Sequence, residues 1–185
     1  MLRRVTGFRC ICLFYAPLSF LTACEPAFAE MPAIDVSAGV REAVLGIMSY
    51  TRWPQPPPAL RLCVVGQPDY AGALFAGSMQ VGKTQVDVSR KALRTGDIAG
   101  QCDAVYTGGI NAAERQILRP QLSSHPILTI TEDDQTCSDG SMFCLDTSGT
   151  GAHVGFAVDL DSIARSGVQV NPRVLLLGRR PKAAP

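Results

Sequence analysis

Seven cysteines, at positions 10, 12, 24, 63, 102, 137 and 144, are the residues whose type and spacing most directly suggest chemistry. The first three fall in an N-terminal segment that reads as a removable signal, which leaves Cys63, Cys102, Cys137 and Cys144, an even set suited to two disulfides in an oxidising compartment. Four cysteines permit three pairings, and spacing alone does not choose among them. Cys137 and Cys144 are close enough to close a local loop, which leaves Cys63 with Cys102. Zinc is the rival use, but these spacings are not the short pair of pairs that zinc favours, and only His125 and His153 are present to assist. Gly77-Ser78-Met79-Gln80-Val81-Gly82-Lys83-Thr84 matches the phosphate-binding P-loop at every required position. That loop works only between a strand and a helix, where backbone N–H groups converge on phosphate. Here a helix-like segment precedes it and Thr84-Gln85-Val86-Asp87-Val88 reads as strand, so the motif is declined. Glu132, Asp133, Asp134 and Asp139 lack the ordered ligand spacing of a calcium loop and read as a solvated acidic turn. No Gly-x-Ser-x-Gly elbow or His-Glu-x-x-His is present, and no nucleophile, base and orienter assemble, so the expectation is a protein that is not an enzyme and has no cofactor.

The compartment follows from the first 29 residues. Arg3, Arg4 and Arg9 precede an apolar run from Cys10 to Ala23, and Ala27-Phe28-Ala29 puts small residues at both positions a signal peptidase reads. Leu21-Thr22-Ala23-Cys24 is a competing lipobox, in which Cys24 would become a lipidated first residue. Cleavage after Ala29 is preferred. It leaves 156 residues, enough for one domain with its own core, and no later run approaches the roughly 20 apolar residues of a membrane span. A formal net charge of +1 gives no basic stripe for nucleic acid. The reading is therefore a signal peptide at 1–29, an α/β domain at 30–178 and a flexible basic tail at 179–185, in the periplasm.

Strand and helix patterns alternate along the domain. Val36, Val40, Val44, Ile47 and Met48 recur at helical spacing behind a cap at Asp35 or Ser37. Pro54 and Pro56 to Pro58 then impose an extended connection. Strands are predicted over 60–66, 86–88, 103–107 and 126–130, with helices over 68–76 and after the Asn111 cap. These units imply a largely parallel twisted sheet with helices on both faces. Met142–Leu145 and His153–Val158 read as an antiparallel C-terminal addition, followed by a short helix from Asp159 or Asp161 and another from Asn171-Pro172. The last carries Val174, Leu175, Leu176 and Leu177, apolar nearly all round, and is the candidate partner-binding surface. A periplasmic small-molecule binding protein is the alternative function, with a crevice lined by Gly66-Gln67 and Gly108-Gly109 at the carboxyl ends of the strands.

In this order, Tyr50-Thr51-Arg52-Trp53-Pro54, Leu62-Cys63-Val64-Val65-Gly66, Cys102, Pro126-Ile127-Leu128-Thr129-Ile130 and the stretch from Gly155 through Ala164-Arg165-Ser166-Gly167 to Val174-Leu175-Leu176 resemble the YfiR family of periplasmic repressors. The resemblance covers essentially all of the exported chain. It implies a homodimer that binds the sensor portion of an inner-membrane diguanylate cyclase, YfiN, and keeps cyclic di-GMP and biofilm formation low. Release would come from sequestration by the outer-membrane lipoprotein YfiB or from reduction of the disulfides.

Overall fold

The computed structural model describes residues 35–94, 97–123, 125–132, 134–148 and 153–178. The signal segment, the Cys24 lipobox, Asp133 and the basic tail lie outside the described residues. Helix α1 (Val36–Ser49) starts where Asp35 accepts a hydrogen bond from the Ser37 N–H at 3.0 Å, and its Val40, Val44, Ile47 and Met48 stripe is fully buried. Four parallel strands form the middle of the sheet beside it. They are β2 (Ala59–Gly66), β4 (Thr84–Lys91), β5 (Ala104–Gly108) and β6 (Leu128–Thr131), after a two-residue β1 (Thr51–Arg52).

The seven-stranded sheet runs β3-β4-β2-β5-β6-β7-β8, where β3 is Met79–Val81, β7 is Phe143–Asp146 and β8 is Gly155–Val158. β7 continues the parallel set, while β3 and β8 close the two edges antiparallel. Side-chain alternation divides the interior. Leu60, Leu62 and Val64 of β2, Tyr106 of β5, Leu128 and Ile130 of β6 and Phe143 of β7 face α1 in the larger core. Cys63, Val65, Val105 and Ile127 face the other way, onto Ile98 of α2 (Ile98–Gln101) and Leu118 of α3 (Ala112–Leu122). The expected class, a largely parallel sheet with helices on both faces and an antiparallel C-terminal addition, is the class observed. α3 begins with a capping box in which the Asn111 side chain accepts from the Glu114 N–H and Glu114 accepts from the Asn111 N–H.

Two local expectations change, and the declined P-loop keeps its reading. The segment after Pro68 is a 3₁₀ turn over Ala71–Phe75 rather than a helix through Ala76. Arg41 of α1 donates to the carbonyls of Ala73, Ala76 and Ser78 at 2.6–2.9 Å, so the chain turns away into β3 with its free carbonyls already satisfied. The P-loop pattern lies on a β3–β4 hairpin, with Val81 opposite Thr84 and Gly82 at φ +62° in the first turn position. No helix follows it to receive a phosphate. The segment from Asn171 is likewise a 3₁₀ turn, Pro172–Leu176, following β9 (Gln169–Val170), which pairs antiparallel with β1.

The carboxyl ends of β2 and β5 are closed rather than open. Gly66 has φ +85°, and a Cβ there would lie 2.3 Å from the Gly108 carbonyl, while one on Gly109 would lie 2.5 Å from the Gln67 carbonyl. The crevice expected along Gly66-Gln67 and Gly108-Gly109 is thus filled by backbone against backbone. Glu132, just past β6, completes the closure. Its carboxylate accepts from the Asp69 N–H, from the Tyr70 N–H at 3.3 Å and from the hydroxyl of fully buried Tyr106 at 2.5 Å. A hydrogen bond to a charged acceptor is worth about 1.5–3 kcal/mol, so Tyr106→Phe is expected to lower unfolding free energy by about that amount in urea titration without changing the m-value.

Candidate functional site

Both disulfides are formed, and they sit in different mechanical settings. Cys63 on β2 bonds Cys102, which ends α2, with Cα atoms 5.8 Å apart and both residues buried. This bond crosses the thinner core, where α2 is only one turn long. Its surroundings are fixed from outside by Arg61, whose guanidinium forks onto Asp103 at 2.9–3.0 Å and also donates to the Gly100 carbonyl at 2.8 Å. The Trp53 indole N–H donates to the Asp103 carbonyl at 2.9 Å. Next to this cluster, Trp53 and the proline run wall a groove of about 590 Å³ that His125 also lines.

The second disulfide joins Cys137 and Cys144 and replaces a structural element. β6 and β7 are parallel, with Ile130 opposite Phe143, and a parallel connection normally crosses through a helix. Here the described residues of the crossover, 132 and 134–142, form no helix. Asp134 organises the turn: its carboxylate accepts from the Thr136 N–H and hydroxyl, the Ser138 hydroxyl and the Asp139 N–H, all at 2.6–3.0 Å. The Ser138 and Thr136 hydroxyls hold this carboxyl far below the usual aspartate range. Asp134 and Asp139 of the acidic run therefore tie a loop, and among the described residues no three His, Cys, Asp or Glu side chains gather to hold a metal. All four thiols are consumed by disulfides, so thiolate coordination of zinc is not available.

This loop is fastened to the C-terminal elements. Ser162 Oγ of α4 (Leu160–Ser166) lies 2.7 Å from the Asp159 carboxylate and 3.0 Å from the Gly140 carbonyl, sharing its one proton between them, and the Asp159 N–H donates to the Met142 carbonyl at 3.0 Å. Asp159 caps α4 by accepting from the Asp161 and Ser162 N–H groups and the Ser162 hydroxyl, and the last of these chiefly lowers its pKa. Beyond α4 the expected apolar surface divides. Val174 is buried in the larger core, and Leu177 packs where a Cβ on Gly46 of α1 would come within 2.8 Å of it. Leu175 and Leu176 remain exposed at 45% and 60%, and on α4 Leu160, which the sequence reading did not single out, is exposed at 68%. Only two of the four residues expected in the patch therefore face solvent. A one-turn 3₁₀ segment in contact with α1 must bury part of its circumference.

The structure also brings together residues that sequence reasoning passed over. Arg115 and Arg119 of α3 and Arg165 of α4 line a cavity of about 510 Å³, bounded by β6 and the loop from Asp139 to Met142. The i, i+4 spacing of Arg115 and Arg119 was the available signal, since it places both on one face of a helix. Arg165 joins them only through the tertiary fold.

Two outcomes follow. Removing Cys63–Cys102 by paired serines is expected to cost nearly 4 kcal/mol, and removing Cys137–Cys144 about 2.5 kcal/mol, as upper values from loop length. Hydrogen exchange should separate them. The first pair lowers protection across the sheet, whereas the second raises exchange first in residues 134–142 and α4. Asp134 and Asp159 have folded-state pKa values below their unfolded ones, so the stability they contribute is complete above the ordinary aspartate value of about 3.9 and is lost as pH falls below it. Asp134→Asn should lower the melting temperature at pH 7 and flatten its decline between about pH 5 and pH 2 in scanning calorimetry.

A model of the YfiR/HmsC-like family matches residues 38–179. That span runs from the first turn of α1 to beyond the last 3₁₀ turn and takes in both disulfides, the arginine-lined cavity and the exposed leucines. Matched over most of its length, the chain belongs to the YfiR/HmsC-like family.

Proposed function

We propose that this protein is a periplasmic negative regulator that binds the sensor portion of an inner-membrane diguanylate cyclase and holds cyclic di-GMP synthesis, and with it biofilm formation, down. The observation that carries the reading is the family match over residues 38–179. Export through a signal peptide at 1–29, with the domain at 30–178 and the tail at 179–185 as the product, belongs to the same proposal. So do a YfiN-type cyclase as target, a YfiB-type outer-membrane lipoprotein as the sequestering partner, and a homodimer as the working form.

The neighbouring Leu175 and Leu176 support a docking role, because large apolar side chains left exposed are more useful against a protein partner than against water, and Leu160 is exposed likewise. Val174 and Leu177 act in this proposal as the buried footing of that surface. The four cysteines supply the control. Loss of disulfide stabilisation is comparable with the whole stability margin of a domain of this size, so reduction would release the target.

Deleting residues 30–185 is the direct test, with cellular cyclic di-GMP as the readout. A rise on deletion that the intact gene reverses, but that Leu175→Glu with Leu176→Glu does not, is the expected result. A cysteine-free version should also fail to reverse it. An unchanged cyclic di-GMP level would remove the regulator reading and bring forward the small-molecule binding protein.

A further inference from the structure

We propose that the cavity between α3, β6, the disulfide-closed loop and α4 binds a small organic anion, a carboxylate or sulfonate on an apolar body. The volume of about 510 Å³ lies within the range of small-molecule sites. Leu118, Ile127 and Met142 give it an apolar floor, and Arg115, Arg119 and Arg165 stand around it. Two of these guanidinium groups converge on one corner. A Cβ on Gly140 would lie 2.9 Å from Arg119 Nη2, so this guanidinium rests against the loop backbone. Arg165 Nη2 is 3.5 Å from Ser162 Oγ, which lies 3.0 Å from the carbonyl of that same Gly140.

The positive charge at this corner is only partly offset by its neighbours, because Arg165 also feels the Asp159 carboxylate that caps α4. Among the described residues the ion pair formed is Arg61 with Asp103, on a different part of the fold. The carboxylate lining the cavity is Asp139, whose oxygens accept from the Ser141 N–H and hydroxyl. Arg115 uses one N–H on the Ile110 carbonyl at 2.7 Å, which fixes its direction while leaving its charge in place. Three cations against two carboxylates, the lining Asp139 and the neighbouring Asp159, leave a net positive charge, which a concave site with low-dielectric walls focuses on the interior. A guanidinium presents parallel donors matched to a planar carboxylate, and the apolar floor selects against a small, fully hydrated inorganic anion. The cavity exists because the β6–β7 crossover contributes a tied loop where a helix would have covered this face. The inference does not depend on the regulatory reading.

The test is calorimetric titration of the oxidised protein with 2-naphthoate and, separately, with 2-naphthamide, which keeps the shape and removes the charge. Saturable one-to-one binding of the naphthoate, at least about tenfold tighter than the amide, is expected. Arg119→Gln with Arg165→Gln should abolish that preference, while Arg173→Gln, on the C-terminal 3₁₀ turn, should leave it intact. Equal affinity for the two compounds, no saturable naphthoate binding, or undiminished binding in the double variant would each overturn the proposal. The comparison of acid with amide needs no substitution, so it decides the matter even if the double variant folds poorly.

Discussion

A parallel sheet has two apolar faces, and each must be covered by the chain that forms it. In this protein that requirement is met unequally. One face has the long stripe of α1, with Val40, Val44, Ile47 and Met48 fully buried against Leu62, Tyr106 and Ile130. The other has the single turn of α2 and the one fully inward residue of α3, Leu118. Cys63 and Cys102 lie on this thin side. A covalent bond there holds together a layer whose apolar area is too small to do so by burial alone, which is the role disulfides take where a core is limited.

The same shortage explains the β6–β7 crossover. A loop that must reverse direction and return parallel without a helix has to satisfy its own backbone groups. Asp134 does this for the Thr136 and Asp139 N–H groups while also accepting from the Thr136 and Ser138 hydroxyls, and the Cys137–Cys144 bond fixes the span that follows. Because Gly140 and Met142 in turn accept from Ser162 and Asp159, the position of α4 depends on the loop's closure. The chain then returns through β9, which pairs with β1 at the end of α1, and places Leu175 and Leu176 at the surface. A local covalent change can therefore reach an exposed apolar surface through a short series of hydrogen bonds. No rearrangement of the sheet is needed.

Much of this was readable from residue patterns where the pattern had one strong cause. The α1 stripe, the apolar runs of β2 and β5, the Asn111 cap and the antiparallel β7–β8 pair all follow from periodicity or capping chemistry. β3, β1 and β9 were not readable, since each is two or three residues long and exists only because a partner strand presents free backbone groups. The 3₁₀ turns replaced expected helices for a related reason. Arg41, distant in sequence, satisfies the carbonyls that a longer helix would have had to bond itself. At the candidate site, the cysteines and the C-terminal leucines stand out as residue types. The division of those leucines into buried and exposed members, and the meeting of Arg165 with Arg115 and Arg119, are properties of tertiary packing.

The two disulfides are consequently not interchangeable. Cys63–Cys102 closes a loop of 39 residues and restrains the unfolded chain most, so it acts on the stability of the whole domain. Cys137–Cys144 closes a span of 7 and restrains the unfolded chain less, but its native neighbours are the loop, the arginine-lined cavity and the start of α4. Local opening has a lower free energy than global unfolding wherever a segment has few buried apolar contacts of its own, and residues 134–142 answer that description. A chain with these two bonds can lose function in two ways: by unfolding altogether, or by releasing one loop while the sheet survives. The second needs less free energy. It is also the one aimed at the surfaces where a ligand or a partner would be felt.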